Sequence, residues 1–167
     1  MPATYEPIAT QTISSNTATI TFNSIPATYT DLVLITVAKA TGTAGMKLQF
    51  NSDTANNYSN TFFVGSVGTI GSVSNSGTNG INFYYSAVLD TANFAMTISN
   101  IADYTNTTTE KSVISKDGSG TLAGTDMVIS TWRKTPIAAI NRIDIITTNA
   151  NTFTSGSNFT LYGIKAA

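Results

Sequence analysis

The chain has no cysteine, no histidine and little charge of either sign. Without cysteine it folds with neither disulfides nor thiolate metal sites. Without histidine it lacks the commonest general base, the commonest metal ligand and the group that changes charge near neutrality. A Ser-His-Asp triad is excluded however many serines are present. Lys and Arg number 8 and Asp and Glu 9, so 10% of the 167 residues are charged. An ordinary soluble domain carries about a quarter. Such a surface sets up little long-range field, so neither nucleic acid nor an anionic membrane is drawn to it. It can press against a like surface without desolvating many ions. No apolar run is long enough to span a bilayer. Met1 to Pro7 carries neither a basic patch nor an apolar stretch, which reads as a soluble product made in the cytoplasm without a signal peptide.

Helical periodicity is nearly absent, and alternation with period two recurs along the chain. Residues 1–16 are read as an N-terminal arm or edge strand, because Pro7 cannot donate to a ladder. Residues 17–167 form one β-sandwich domain. Thr17 to Asn23 sets Ala18, Ile20 and Phe22 against threonines, a half-buried strand. Asp31 to Lys39 is apolar on both faces and reads as interior. Met46, Leu48 and Phe50 alternate with Lys47, Gln49 and Asn51. Thr61 to Gly65 and Ile81 to Leu89 are further strands, and Ser66 to Gly80, rich in Gly, Ser and Asn, reads as a long surface loop.

In the second half, Phe94, Met96 and Ile98 point inward by alternation, with Ala95, Thr97 and Ser99 outside. Glu110 to Lys116 is a strand, and Lys116-Asp117-Gly118-Ser119-Gly120 a turn. Thr125 to Arg133 and Ile140 to Thr148 follow, and Trp132 is assigned to the core. The terminal strand, Ser157 to Lys165, sets Phe159, Leu161 and Gly163 on one side. Asn158, Thr160, Tyr162 and Ile164 lie on the other, so both sides need cover from the sandwich or from another subunit. About ten strands with no helical unit between them predict an all-β fold, an antiparallel two-sheet β-sandwich of jelly-roll-like form.

Site-like chemistry is sparse. Asn51, Ser52 and Asp53 with Asn56 and Asn57 place oxygens where they could hold Ca²⁺, or could bond their own loop backbone. One carboxylate favours the loop. Asp103, Glu110, Asp117 and Asp126 include no spacing that fixes two carboxylates together for glycosidase chemistry. Tyr84 and Tyr85 could stack on a sugar or a partner. Gly65, Gly68 and Gly71 lack the strand-to-helix context of a phosphate cradle. The sequons at Asn57, Asn106 and Asn158 are read as accidents of an Asn/Thr-rich composition. No enzyme activity, cofactor or metal is expected.

Several stretches together resemble a family of β-rich virion proteins of tailed bacteriophages. They are Tyr5-Glu6-Pro7-Ile8-Ala9-Thr10, Ile20-Thr21-Phe22-Asn23-Ser24-Ile25-Pro26, Tyr29-Thr30-Asp31-Leu32-Val33-Leu34 and Leu48-Gln49-Phe50-Asn51. Asn57-Tyr58-Ser59, Trp132-Arg133, Ala138-Ala139-Ile140 and Phe159-Thr160-Leu161-Tyr162-Gly163-Ile164-Lys165 continue the series in order. The resemblance implies a particle component: a capsid decoration (cement) protein, jelly-roll-like and homotrimeric, bound to the major capsid protein on the virion. The alternative is a tail-fibre, baseplate or receptor-binding module that contacts host-surface glycan through the loops. Capsid contact is placed on the N-terminal segment at Pro2, Tyr5, Pro7 and Ile8. The oligomer interface is placed at Tyr162 and Ile164.

Overall fold

The computed structural model describes residues 5–66, 69–83, 89–119 and 124–165. Pro2, Tyr84 and Tyr85 lie outside the described residues. Strands follow one another in the order β1 (Tyr5–Thr12), β2 (Thr19–Phe22), β3 (Asp31–Ala38), β4 (Met46–Phe50), β5 (Tyr58–Ser66) and β6 (Thr69–Thr78). Then come β7 (Ile81–Phe83), β8 (Ala95–Ile101), β9 (Lys111–Ser119), β10 (Gly124–Trp132), β11 (Ile143–Thr147) and β12 (Asn158–Ile164).

All strand pairs are antiparallel. An 8-stranded large sheet runs β1-β12-β3-β8-β9-β10-β5-β6, and a 4-stranded small sheet runs β2-β11-β4-β7. The chain switches sheet repeatedly: β2 small, β3 large, β4 small, β5 and β6 large, β7 small, the β8–β10 meander large, β11 small, β12 large. That winding is the jelly-roll-like sandwich expected from the pattern. One continuous core lies between the sheets, with Phe22, Leu48, Phe50, Ile143 and Ile145 on the small-sheet side and Leu32, Leu34, Phe62, Val128 and Leu161 on the other.

Trp132 belongs to this core. Its ring meets Phe50 edge-on at 5.6 Å and stacks on Tyr58 at 6.3 Å, tying β10 and β5 of one sheet to β4 of the other. Aromatic pairs of this kind add about 0.5–1.5 kcal/mol beyond area burial. The Tyr58 hydroxyl accepts from the Phe50 N–H at 2.9 Å and donates to the Asp53 carbonyl at 3.1 Å.

The structure departs from the sequence reading in three places. Ser66 to Gly80 is not a long loop: it holds β6, which pairs with β5 as an edge strand. Weak local propensity is overridden there by the ladder that β5 offers. Lys116 to Ser119 is not a turn but the end of β9, paired with Gly124 to Met127. In β8 the faces are reversed: Ala95, Thr97 and Ser99 are buried, while Phe94 and Met96 are exposed. The reason lies at the strand's far end. Ile101 pairs with Leu32 and Val113, all fully buried, and period two then sends Met96 outward.

The N-terminal segment is an edge strand. β1 pairs with β12 from Tyr5↔Ile164 to Thr12↔Asn158, with a register shift between Pro7 and Ala9. The terminal strand β12 is therefore interior, between β1 and β3. Its Gly163 faces the Tyr29 ring so closely that a Cβ there would lie 2.3 Å from the ring. Tyr29 donates to Glu6 at 3.2 Å, and Lys165 pairs with Glu6 at 3.0 Å, closing the two ends of the chain around that ring. Gly163→Ala must push the ring off the strand, an overpacking change expected to cost about 1–3 kcal/mol. Urea unfolding followed by Trp132 fluorescence measures it; a variant as stable as the parent would show that the ring is free to move.

Candidate interaction surface

The two sheets present unlike faces to the outside. On the small sheet, alternation puts Thr19, Thr21, Lys47, Gln49 and Asp144 on the outer side, where Thr21 bonds Asp144 and Gln49 bonds the Asn79 carbonyl. Asp144 accepts from Thr21 at 2.6 Å and from Arg142 at 2.8 Å. Arg142 and Thr21 together hold its carboxyl below the ordinary range although burial opposes them. This face is polar, although Gln49 and Asp144 are themselves buried in it.

The large sheet is built the other way round. In the β8–β10 meander the inward residues include Thr97, Ser99, Ser115, Asp117, Asp126 and Ser130, all buried. The outward residues are larger and apolar: Met96 is 50% exposed, Ile114 43%, Met127 39% and Ile129 39%. Registers join them into one patch. Met127 sits between Lys116 and Phe63, and Ile129 between Ile114 and Thr61. Phe63 is itself 43% exposed, and Ile98 lies beside Lys116 on the next strand. A groove of about 490 Å³ crosses this region, lined among others by Phe63, Ile70, Thr125 and Met127. Apolar surface arranged contiguously in this way marks an interaction site rather than chance exposure.

Tyr162 and Ile164 are half-buried on the same outward face, nearer the β1 edge, where Tyr162 pairs with Val33 and Pro7. Tyr5 and Pro7 are exposed on β1, and Ile8 is half-buried in the bulge against the core. The structure thus puts the residues expected to make oligomer contact and those expected to touch the capsid on neighbouring strands. Sequence reading missed Met96, Ile114, Met127 and Ile129 as surface groups. The signal was the same alternation, with the choice of inner face unresolved.

The cluster around Asp53 is a structural network. Its Oδ2 accepts the Trp132 indole N–H at 2.7 Å and the Asn57 side-chain amide at 2.9 Å, and its Oδ1 accepts the Ala55 N–H at 3.1 Å. Burial raises its pKa, but the bonds from Asn57, Trp132 and Ala55 outweigh it and the carboxyl stays below the ordinary range. Asn51 and Ser52 take left-handed φ of 51° and 58°, and the Asn51 side chain bonds Ala139, Asn141 and Arg142 instead of pointing into a shared cavity. Donors already fill the positions a cation would need. Among the described residues no group of three or more acidic side chains could hold a metal ion.

A pair of carboxylates does come together elsewhere. Asp117 and Asp126 face each other across β9 and β10, 6% and 4% exposed. Asp117 Oδ1 accepts the Asp126 N–H at 3.0 Å, and its Oδ2 has no hydrogen-bond partner among the described residues. Burial and the facing Asp126 carboxylate push Asp117 up to about 7. The Asp-Gly turn signal at Asp117 hides this pairing in the sequence.

Comparison with family models, with curated proteins and with solved structures gives no match to this chain.

The Asp117 carboxyl makes stability fall as pH rises. The unfolded side chain ionises near about 3.9, whereas the folded one holds its proton up to about 7. Between those values unfolding releases a proton, so the contribution is full below the window and lost above it, at about 1.4 kcal/mol per pH unit. Asp117→Asn keeps an acceptor for the Asp126 N–H and removes the titration. Urea midpoints compared at about pH 5 and about pH 8 should show the parent losing more stability than the variant. Equal losses would assign the slope to another group.

Proposed function

We propose that the protein is a non-catalytic structural component of a tailed-phage virion, a decoration protein that covers the outside of the capsid. It binds the major capsid protein and other copies of itself. The observation that supports this reading is the outward apolar face of the β8–β10 meander, set against a polar face on the small sheet where Asp144 bonds Thr21 and Arg142. A decoration protein works by adding interface area between shell subunits, and that work needs a low-charge docking face rather than a reactive centre. The order of sequence words that resembles β-rich virion proteins supplies the particle.

Capsid contact is proposed at the free edge of β1, through Tyr5, Pro7 and Ile8, where Tyr5 is 56% exposed. β1 is part of the large sheet, so point changes test the contact better than truncation. Truncation would strip β12 of its ladder partner. Two measurements decide the reading. Mass-spectrometric counting in purified particles should find copies on the scale of shell subunits; a handful per particle would move the protein to the tail. Tyr5→Ser should weaken binding to empty shells about tenfold with unfolding unchanged, the loss expected for removing one aromatic anchor. Undiminished binding would remove β1 from the contact.

A further inference from the structure

We infer that the outward face of the large sheet, centred on Met127 and Ile129, is the seat of another copy of this chain. This inference deepens the proposed function, which rests on the same face, by naming the occupant of that face. Particle copy number tests the one, and the mass of the purified chain tests the other.

The first argument is the inverted meander. Antiparallel strands with one face in water carry their large apolar groups inward. Here β8, β9 and β10 turn Thr97, Ser99, Ser115 and Ser130 inward and Met96, Ile98, Ile114, Met127 and Ile129 outward. A register slip of one residue would exchange the sets, yet the core anchors Ile101, Val113, Val128 and Trp132 hold the register as it is. The outward set is therefore fixed, and it behaves as the inner face of a second sandwich layer.

The second argument is charge. Among the described outward residues of β5, β8, β9 and β10, Lys116 is the one ionic side chain. A basic partner would find no counter-charge and an acidic one only Lys116, so a charged partner would bury most of its ions unpaired at a cost. A copy of this chain brings a face with the same single lysine. Lys116 lies between Ile98 and Met127, where its methylene stem can cover the apolar groups.

The third is area. Without the two edge strands, the six strands from β12 to β5, at about 4.8 Å spacing and about six residues long, present a face about 24 Å by about 20 Å. That is about 480 Å² in projection before side-chain relief, toward the roughly 800 Å² per partner of a stable interface. A pocket for a small ligand would not need the whole sheet. Two such faces pack as sheets do, about 10 Å apart, with Met and aromatic groups at the centre and Ser, Thr and Asn at the rim.

The test uses the full chain. Sedimentation of the parent at micromolar concentration should give a dimer or trimer mass, and Ile114→Lys with Met127→Lys should return a monomer with an unchanged circular dichroism spectrum. The changed side chains are surface groups, so the core is untouched. Because the chain has no cysteine, a single Met127→Cys reports contact directly. Oxidation should cross-link it between chains, while Glu110→Cys, on an exposed loop, should stay free. A monomeric parent overturns the inference. So does an oligomer that keeps its mass in the Lys variant, or one that cross-links from Ser74→Cys on the β6 edge and not from Met127→Cys. If the Lys variant unfolds, the cysteine pair alone decides.

Discussion

Period two governs this molecule. A strand has only two sides, so anchoring one residue decides the side of every other. In the meander the anchors are Ile101, Val113, Val128 and Trp132, each buried between the sheets. Once they are placed, Met96, Ile114, Met127 and Ile129 have no alternative to facing out, and Ser99, Ser115 and Asp117 none to facing in. The exposed apolar face is thus a consequence of the register that the core enforces.

The inward polar groups show what the register costs and how the cost is offset. Ser115 donates to Ser99 at 2.8 Å, and Ser130 donates to Asn60 at 2.9 Å. The Asn60 amide reaches the Gly80 carbonyl at 3.1 Å and Thr78 at 2.8 Å, so one side chain joins β10, β5 and the chain entering β7. A satisfied buried network of this kind disfavours slipped registers, because a slip would strand each member without a partner. Asp117 has an oxygen with no partner among the described residues. Burial and the facing Asp126 push its carboxyl up to about 7, which couples this end of the sandwich to pH. The lysine at the opposite end of β9 follows the same rule of local satisfaction: Lys111 turns its ammonium to the carbonyls of Asn106 and Thr109.

Much of the fold was legible because most strands announce themselves by alternation or by apolar runs. Thr17 to Asn23, Asp31 to Lys39 and the terminal strand fall where the pattern put them, and the core role of Trp132 follows from its place among apolar neighbours. The sidedness of β8 was not legible. Phe94-Ala-Met-Thr-Ile-Ser alternates cleanly, but alternation names two sets without saying which is inside. The deciding residue, Ile101, lies beyond the stretch that carries the pattern. The facing of Asp117 and Asp126 was hidden for another reason: Asp-Gly is a turn signal when a strand ends there, and here the ladder runs through it. The candidate surface was therefore the least readable part of the molecule, since it consists of residues that local reasoning assigns to the core.

The two edges of the large sheet carry this contrast between composition and position one step further. β1 protects its free edge in the familiar manner, with Pro7, a bulge and the Glu6–Lys165 pair at 3.0 Å. β6 has neither proline nor charge, and it extends for 10 residues along the opposite edge. Such a strand of Val and Ile would recruit other chains by its ladder. β6 is made instead of Gly, Ser, Asn and Thr with isolated Ile70 and Val73, and Gly77 holds a φ of 67° that breaks the extended run. Residues of this kind pair only where a neighbour is already in register, as β5 is, and they nucleate poorly on their own. The composition that makes Ser66 to Gly80 read as a loop is thus the same property that keeps the edge from pairing at random. The large apolar groups of the sheet lie on the face beside it.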